Sequence, residues 1–190
     1  MKRVLVPLAQ GCEEMEAVTL IDLFRRAGIE VVSAGLDDQP VKASRGVVLL
    51  PDTTLDQVID QEFDLIVLPG GLPGTERLNQ DPRIKSLLQK MAASGKYVAA
   101  ICAAPSVLAH AGLLQGRQAT GYPGVLEKMS IPSLSILDTP VVTDGTIVTS
   151  RGPGTALVFA LDLIEKLAGL DKRLEVAKAL LSHPHTGQPA

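Results

Sequence analysis

Cys102 lies at the centre of Tyr97-Val98-Ala99-Ala100-Ile101-Cys102-Ala103-Ala104-Pro105-Ser106. The residues before it form a short uncharged apolar run suited to a fully buried strand, and beyond it Pro105, Val107, Leu108 and Ala111 open a helical pattern. The cysteine therefore stands at a strand-to-helix turn, where the unpaired N–H groups of the new helix face the side chain and favour its thiolate. This placement predicts a nucleophilic thiol whose pKa falls from about 8.5 into the range of about 3.5–7.5 seen for activated cysteines. Free cysteine is also a common filler of buried strand ends, so the stretch alone leaves both readings open.

Two further stretches could bring chemistry to the same place. Gln10 to Glu16 follows the first apolar run and holds Glu13, Glu14 and Glu16; Pro69-Gly70-Gly71-Leu72-Pro73-Gly74 follows another and is glycine-rich enough for close backbone approach. The three histidines, His110, His183 and His185, show no metal-ligand spacing, and Cys12 with Cys102 makes neither a disulfide framework nor a four-ligand zinc site. No metal and no cofactor is expected.

The elements that must position these residues alternate. Lys2 to Leu8 reads as a strand, and from Glu13 a helix runs to Gly28, with Glu16, Thr19, Asp22 and Arg26 as a narrow polar stripe. So little polar surface predicts burial of this helix on two sides. Glu30 to Leu36 is a strand, Val41 to Ala43 and Val47 to Leu50 form a hairpin-like excursion around Ser44-Arg45-Gly46, and Leu55 to Ile59 is a short helix. Asp64 to Leu68 is a buried strand; Asp81 and Pro82 start a helix to about Ala93, ended by Gly95. After the elbow helix come a short strand and turn at Ala119 to Pro123 and a weak helix to Met129. Strands near Val141-Val142 and Ile147 to Thr149 flank the turn signal Asp144-Gly145, and helices follow at Ala156 to Leu167 and Lys172 to Leu181.

Buried strands alternating with helices specify an α/β sandwich with a mainly parallel sheet, which binds ligands beyond the carboxyl ends of its strands. The 190 residues fit one domain, read as 1–182 with a flexible tail at 183–190. A net charge of −3 without a basic block argues against nucleic-acid binding. The apolar part of Met1 to Ala9 is too short for a signal peptide, and the uncharged stretch Tyr97 to Gly116 is broken by Pro105, Ser106, His110 and Gly112, so no membrane span is expected. A cytoplasmic protein with a free thiol is the consistent reading.

In this order and spacing, Gly11-Cys12-Glu13-Glu14-Met15-Glu16, Arg25-Arg26-Ala27-Gly28, Ser44-Arg45-Gly46-Val47, Leu68-Pro69-Gly70-Gly71, Ala99 to Pro105 and Thr149 to Thr155 are a specific set. From Val4 to about Ala179 the chain resembles the ThiJ/PfpI superfamily, in the branch of the human Parkinson-disease protein and bacterial YajL. The resemblance implies a flavodoxin-like, class I glutamine amidotransferase-like fold. It implies Cys102 as an oxidation-prone nucleophile and Glu16 as a protonated acid that donates to the thiolate, a carboxyl whose pKa burial would raise. Gly70, Gly71 and Ala103 would supply oxyanion N–H groups. Arg26 would reach a partner's site across a homodimer, and Arg45 would lie near the cysteine pocket. Cys12 is not matched in the human member of that branch and reads as a packed loop thiol. Glu13 and Glu14 read as first-turn acids complementing the helix dipole.

One departure bears on activity. Many superfamily members place a histidine before the proline after the elbow helix, where this chain has Tyr122-Pro123. Without an imidazole to protonate a leaving amine, peptide hydrolysis is not expected. The resemblance implies instead a glutathione-independent glyoxalase or protein deglycase acting on methylglyoxal-type dicarbonyls or glycated proteins. The alternative is a redox-sensing stress chaperone in which Cys102 is oxidised to sulfinate without turnover.

Overall fold

The fold is described by a computed structural model covering residues 1–182; the tail expected to be flexible lies outside the described residues. Strand β1 (Arg3–Leu8) leads into α1 (Glu14–Arg26) and β2 (Glu30–Gly35), followed by the two-residue strands β3 (Val41–Lys42), β4 (Val48–Leu49) and β5 (Thr53–Thr54) and the single turn α2 (Leu55–Val58). Next come β6 (Leu65–Leu68), α3 (Leu72–Gln80), α4 (Pro82–Ala93), β7 (Tyr97–Ile101) and α5 (Pro105–His110). The chain continues through β8 (Gln118–Ala119), β9 (Ser135–Ile136), β10 (Val141–Asp144), β11 (Ile147–Ser150), α6 (Ala156–Ala168) and α7 (Leu170–Ala179).

Seven strands form one sheet in the order β10-β11-β7-β6-β1-β2-β5, parallel throughout except for the β10–β11 hairpin turned at Asp144-Gly145. Strand alternation divides the core between the two faces. On β1, Val4, Val6 and Leu8 join Leu20, Phe24 and Phe159 beneath α1 and α6, whereas Leu5 joins Leu78, Ile84 and Leu88 from α3 and α4. Helices on both faces explain why the strands carry no polar alternation. The result is the single-domain α/β fold with a mainly parallel sheet expected from the sequence.

Several local readings change. Leu72 to Gln80 is a helix rather than the continuation of a glycine loop, because Pro73 is tolerated in a first turn that lacks intrahelical N–H partners. Asp81 then ends α3 and caps α4 by accepting from the Arg83 N–H at 2.9 Å. The segment before Met129 is one 3₁₀ turn, Leu126–Lys128, and β5 and β9 are two-residue strands too short to carry a pattern. Glu16 does not share a solvent face with Thr19, Asp22 and Arg26: it is fully buried, while Met15 and Val18 are 59% and 46% exposed. The first turn of α1 is rotated onto the sheet edge, and an apolar strip of the helix is left uncovered in the single chain.

Candidate active site

The carboxyl ends of β1, β6 and β7 bring the expected loops together. Cys102 follows β7 at φ 64°, a left-handed conformation that a non-glycine residue adopts at a cost. Its neighbours fix it there: the Cys102 N–H donates to the Ser150 carbonyl at 3.0 Å, and the Tyr122 N–H donates to the Cys102 carbonyl at 2.7 Å. The thiol is buried.

Glu16 meets it from α1. Its Oε2 accepts from the Gly70 N–H at 2.7 Å, and its Oε1, equally buried, has no hydrogen-bond partner. The Gly71 and Ala103 N–H groups act on Cys102. Of the three backbone donors expected for an oxyanion hole, Gly70 is therefore already committed to Glu16, which leaves Gly71 and Ala103 facing the sulfur. Gly70 has no room for a side chain, since a Cβ would lie 2.7 Å from the Cys102 Cβ and 2.8 Å from Glu16 Oε2.

Burial pushes the Glu16 carboxyl up to about 7, against the lowering effect of the Gly70 N–H. Burial, and then the charge of Glu16, push the Cys102 thiol up to about 12. The lowering expected of a helix N-terminus does not prevail: α5 is only six residues long and begins at Pro105, which has no N–H. Both groups resist ionisation, and the carboxyl is the one that changes charge near neutrality. When Glu16 is protonated, the charge opposing the thiolate disappears and a carboxylic O–H becomes a donor beside the sulfur.

The other candidate residues take different places. Arg26 is half-exposed at the end of α1 and pairs with Asp22 at 2.7 Å. Arg45 is exposed on the β3–β4 loop, and its side chain makes no ion pair among the described residues. Tyr122 is 52% exposed, joined to the site through its backbone, with its ring against Gly152. Cys12 is fully buried beside the glycine loop, its thiol pushed up to about 12 by burial and by Glu14 and Glu13, which keeps it neutral.

Glu13 and Glu14 do more than complement a helix dipole. Glu13 caps α1 by accepting from the Glu16 N–H at 2.8 Å. The buried Glu14 carboxylate accepts from Ser44 Oγ at 2.9 Å and from the Arg45 N–H at 2.8 Å, tying the β3–β4 loop to α1. These hydrogen bonds hold its carboxyl below the usual carboxylate range against the desolvation that burial imposes. Three acids in one helical turn were the available signal, since a dipole needs no more than one.

No group of three His, Cys, Asp or Glu side chains among the described residues could hold a metal ion. No helix there is long and apolar enough to cross a membrane. A groove of about 460 Å³ lined by Leu8, Leu36, Arg77 and Arg83 lies beside the ends of β1 and β2 and includes neither Cys102 nor Glu16.

A buried thiol on a strained elbow at the carboxyl edge of a parallel sheet, facing a protonatable carboxyl, defines a thiol-centred α/β protein. Comparison narrows the class: residues 2–166 match the DJ-1/PfpI family, and the chain belongs to that family. It is 48% identical over 181 residues to protein dj-1beta of Drosophila melanogaster, covering 95% of this chain and 97% of that protein. The crystal structure of Drosophila melanogaster DJ-1beta superposes with a TM-score of 0.92 at 47% identity, covering 96% of this chain and 99% of that one. A Caenorhabditis elegans relative, glutathione-independent glyoxalase DJR-1.2, is 38% identical over 177 residues, covering 93% of this chain and 94% of that protein.

Proposed function

We propose that this protein is a glutathione-independent glyoxalase or protein deglycase that uses Cys102 as thiolate nucleophile and Glu16 as proton carrier. The observation that carries the reading is the Glu16 carboxyl, buried with one oxygen unpartnered and its pKa pushed up to about 7, beside a buried thiol. An acid poised near neutrality is suited to both giving and taking a proton.

The thiolate adds to the aldehyde carbon of a dicarbonyl such as methylglyoxal, and the Gly71 and Ala103 N–H groups hold the developing alkoxide. Glu16 gives its proton to that oxygen. As carboxylate it takes the proton from the carbon bearing sulfur and returns it to the neighbouring carbon, while the hydroxyl proton on the carbon bearing sulfur passes to the former ketone oxygen, giving a thioester of the hydroxy acid. Water then releases the acid and restores the thiol. The adducts that dicarbonyls form on protein side chains are the corresponding deglycase substrates. The test follows methylglyoxal loss and lactate formation with glutathione absent. Wild type should turn over and Cys102→Ser should not; equal loss in both would sink the enzyme reading and leave oxidation of Cys102 to a sulfinate, held by Glu16 and the same N–H groups, as the better function.

The site is proposed to work in a homodimer, as a cytoplasmic stress-defence protein without cofactor. Met15 and Val18 on α1 and Val47, Val48 and Leu50 at the hairpin are exposed apolar side chains that a second copy would cover, with Arg26 at the edge of the same helix. Light scattering at micromolar concentration should give twice the chain mass of 20.0 kDa. A monomer there would remove the dimer.

A further inference from the structure

Three hydrogen bonds close a ring around the first turn of α1. The Glu13 N–H donates to the Gly70 carbonyl at 2.9 Å, the Gly70 N–H donates to Glu16 Oε2 at 2.7 Å, and the Glu16 N–H donates to Glu13 Oε2 at 2.8 Å. Capping alone requires only the last of these. Ser, Thr, Asp and Asn are the preferred caps, so a glutamate here is an uncommon choice if capping were its whole role.

A helix N-terminus ordinarily stabilises a nearby carboxylate and lowers its pKa. At Glu16 that pull is taken up by Glu13: the Glu16 backbone N–H is bonded to the Glu13 carboxylate, and the Glu13 charge opposes ionisation of Glu16. The groups acting most strongly on Cys102 are Glu16 and the Gly71 and Ala103 N–H groups. The Glu13 carboxylate is bonded to the Glu16 backbone, so its charge acts on Glu16 at short range.

We propose that Glu13 is a positioning residue of the reactive pair: its carboxylate, seated on the Glu16 backbone N–H, holds the shared proton on Glu16 and so leaves the Cys102 sulfur as thiolate. The proton leaves Sγ for the Glu16 carboxylate, and no other reactant is involved. The inference rests on the reading of Cys102 as a thiolate beside a protonated Glu16. The titratable groups facing Glu16 are Cys102 from the β7–α5 elbow, Cys12 from the β1–α1 loop, where Glu16 acts on its thiol, and Glu13 itself. Glu14 is occupied by the β3–β4 loop. Charged residues on the elements packed against α1 are paired elsewhere: Arg3 with Glu30, Lys166 with Asp162, and Glu165 with Arg173.

Glu13→Gln keeps a carbonyl oxygen for the cap and removes the charge; Glu13→Asp keeps the charge. The readout is the rate of iodoacetamide alkylation at Cys102 against pH, followed on the Cys102 peptide by mass spectrometry. At pH 6 to 7, Glu13→Gln should react about fivefold more slowly than wild type, and Glu13→Asp should stay within about twofold. The infrared band of a protonated carboxyl, assigned by its loss in Glu16→Gln, should weaken in Glu13→Gln. Superimposable profiles for wild type and Glu13→Gln, or equal slowing in both variants, would overturn the role of the Glu13 charge while leaving the thiolate reading intact. A wild-type profile with no reaction below pH 8 would overturn the thiolate reading and this inference with it.

Discussion

Glu16→Gln is expected to lower dicarbonyl turnover by about 10²–10⁴-fold, the usual contribution of a positioned general acid–base. The amide is nearly isosteric, its carbonyl oxygen can still accept from the Gly70 N–H, and its NH₂ can still donate to the sulfur, but it cannot carry a proton. Removing the carboxylate also removes a charge that pushes the Cys102 thiol up, so alkylation at pH 7 should persist within about tenfold of wild type. Tyr122→Phe should stay within about threefold in turnover, because the half-exposed side chain packs its ring against Gly152 and joins the site through its backbone N–H. Steady-state rates on methylglyoxal beside alkylation rates separate the two roles of Glu16. Loss of turnover in Tyr122→Phe with retention in Glu16→Gln would transfer the proton-carrying role to the tyrosine hydroxyl.

The same variant makes a stability prediction whose sign follows from the raised pKa. Glu16 moves from an ordinary value near 4.5 to about 7 on folding, so between these values the folded chain holds a proton that the unfolded chain has lost. Stability from this group is therefore fully present below about pH 4.5, declines as pH rises to about 7, and is level above that. Urea unfolding should show wild type losing ground to Glu16→Gln across that window. A difference between them that does not change with pH would mean that the carboxyl is not buried as described.

Gly70→Ala is expected to have the second-largest effect, through space rather than chemistry. Its methyl would sit 2.7 Å from the Cys102 Cβ, 2.8 Å from Glu16 Oε2 and 2.9 Å from the Ile101 carbonyl oxygen, all inside normal contact. The backbone of β7 cannot yield, because it pairs on both sides with β6 and β11. Glu16 must therefore move off the thiol. Alkylation of Cys102 at neutral pH should fall at least about tenfold, and unfolding free energy should drop by about 1–3 kcal/mol, the usual cost of overpacking. Gly154→Ala is the matched control, since a Cβ there meets nothing within 4 Å, and it should change stability by no more than about 0.5 kcal/mol. Wild-type reactivity in Gly70→Ala would show that Glu16 and Cys102 need not be in contact.

Much of this architecture was legible because burial on both sheet faces leaves an unmistakable trace. Runs such as Leu65-Ile66-Val67-Leu68 admit little besides a central strand, and Asp81-Pro82 or Asp144-Gly145 mark boundaries through backbone geometry that holds in any context. Leu72 to Gln80 escaped because Pro73-Gly74 has the composition of a turn, and only the packing of Leu78 and Thr75 into the α3 interface makes it helical. Glu16 was legible by resemblance but misplaced by periodicity: its helical spacing from Asp22 and Arg26 set it among solvated residues, whereas the sheet edge turns it fully inside.

The sequence by itself pointed to Cys102, Glu16 and the glycine loop as candidates and to the carboxyl edge of one sheet as their meeting place, because buried runs and a strand-to-helix turn are local patterns and parallel sheets bind beyond their strands' carboxyl ends. Tertiary structure alone decided the proton economy of that edge. It committed the Gly70 N–H to Glu16 rather than to substrate, turned Glu13 back onto the Glu16 backbone, and by burial pushed both the Glu16 carboxyl and the Cys102 thiol up. These outcomes depend on distances of about a hydrogen bond between residues as far apart as Glu16, Gly70 and Cys102, and in a one-dimensional pattern a buried carboxyl and a solvated one are the same letter.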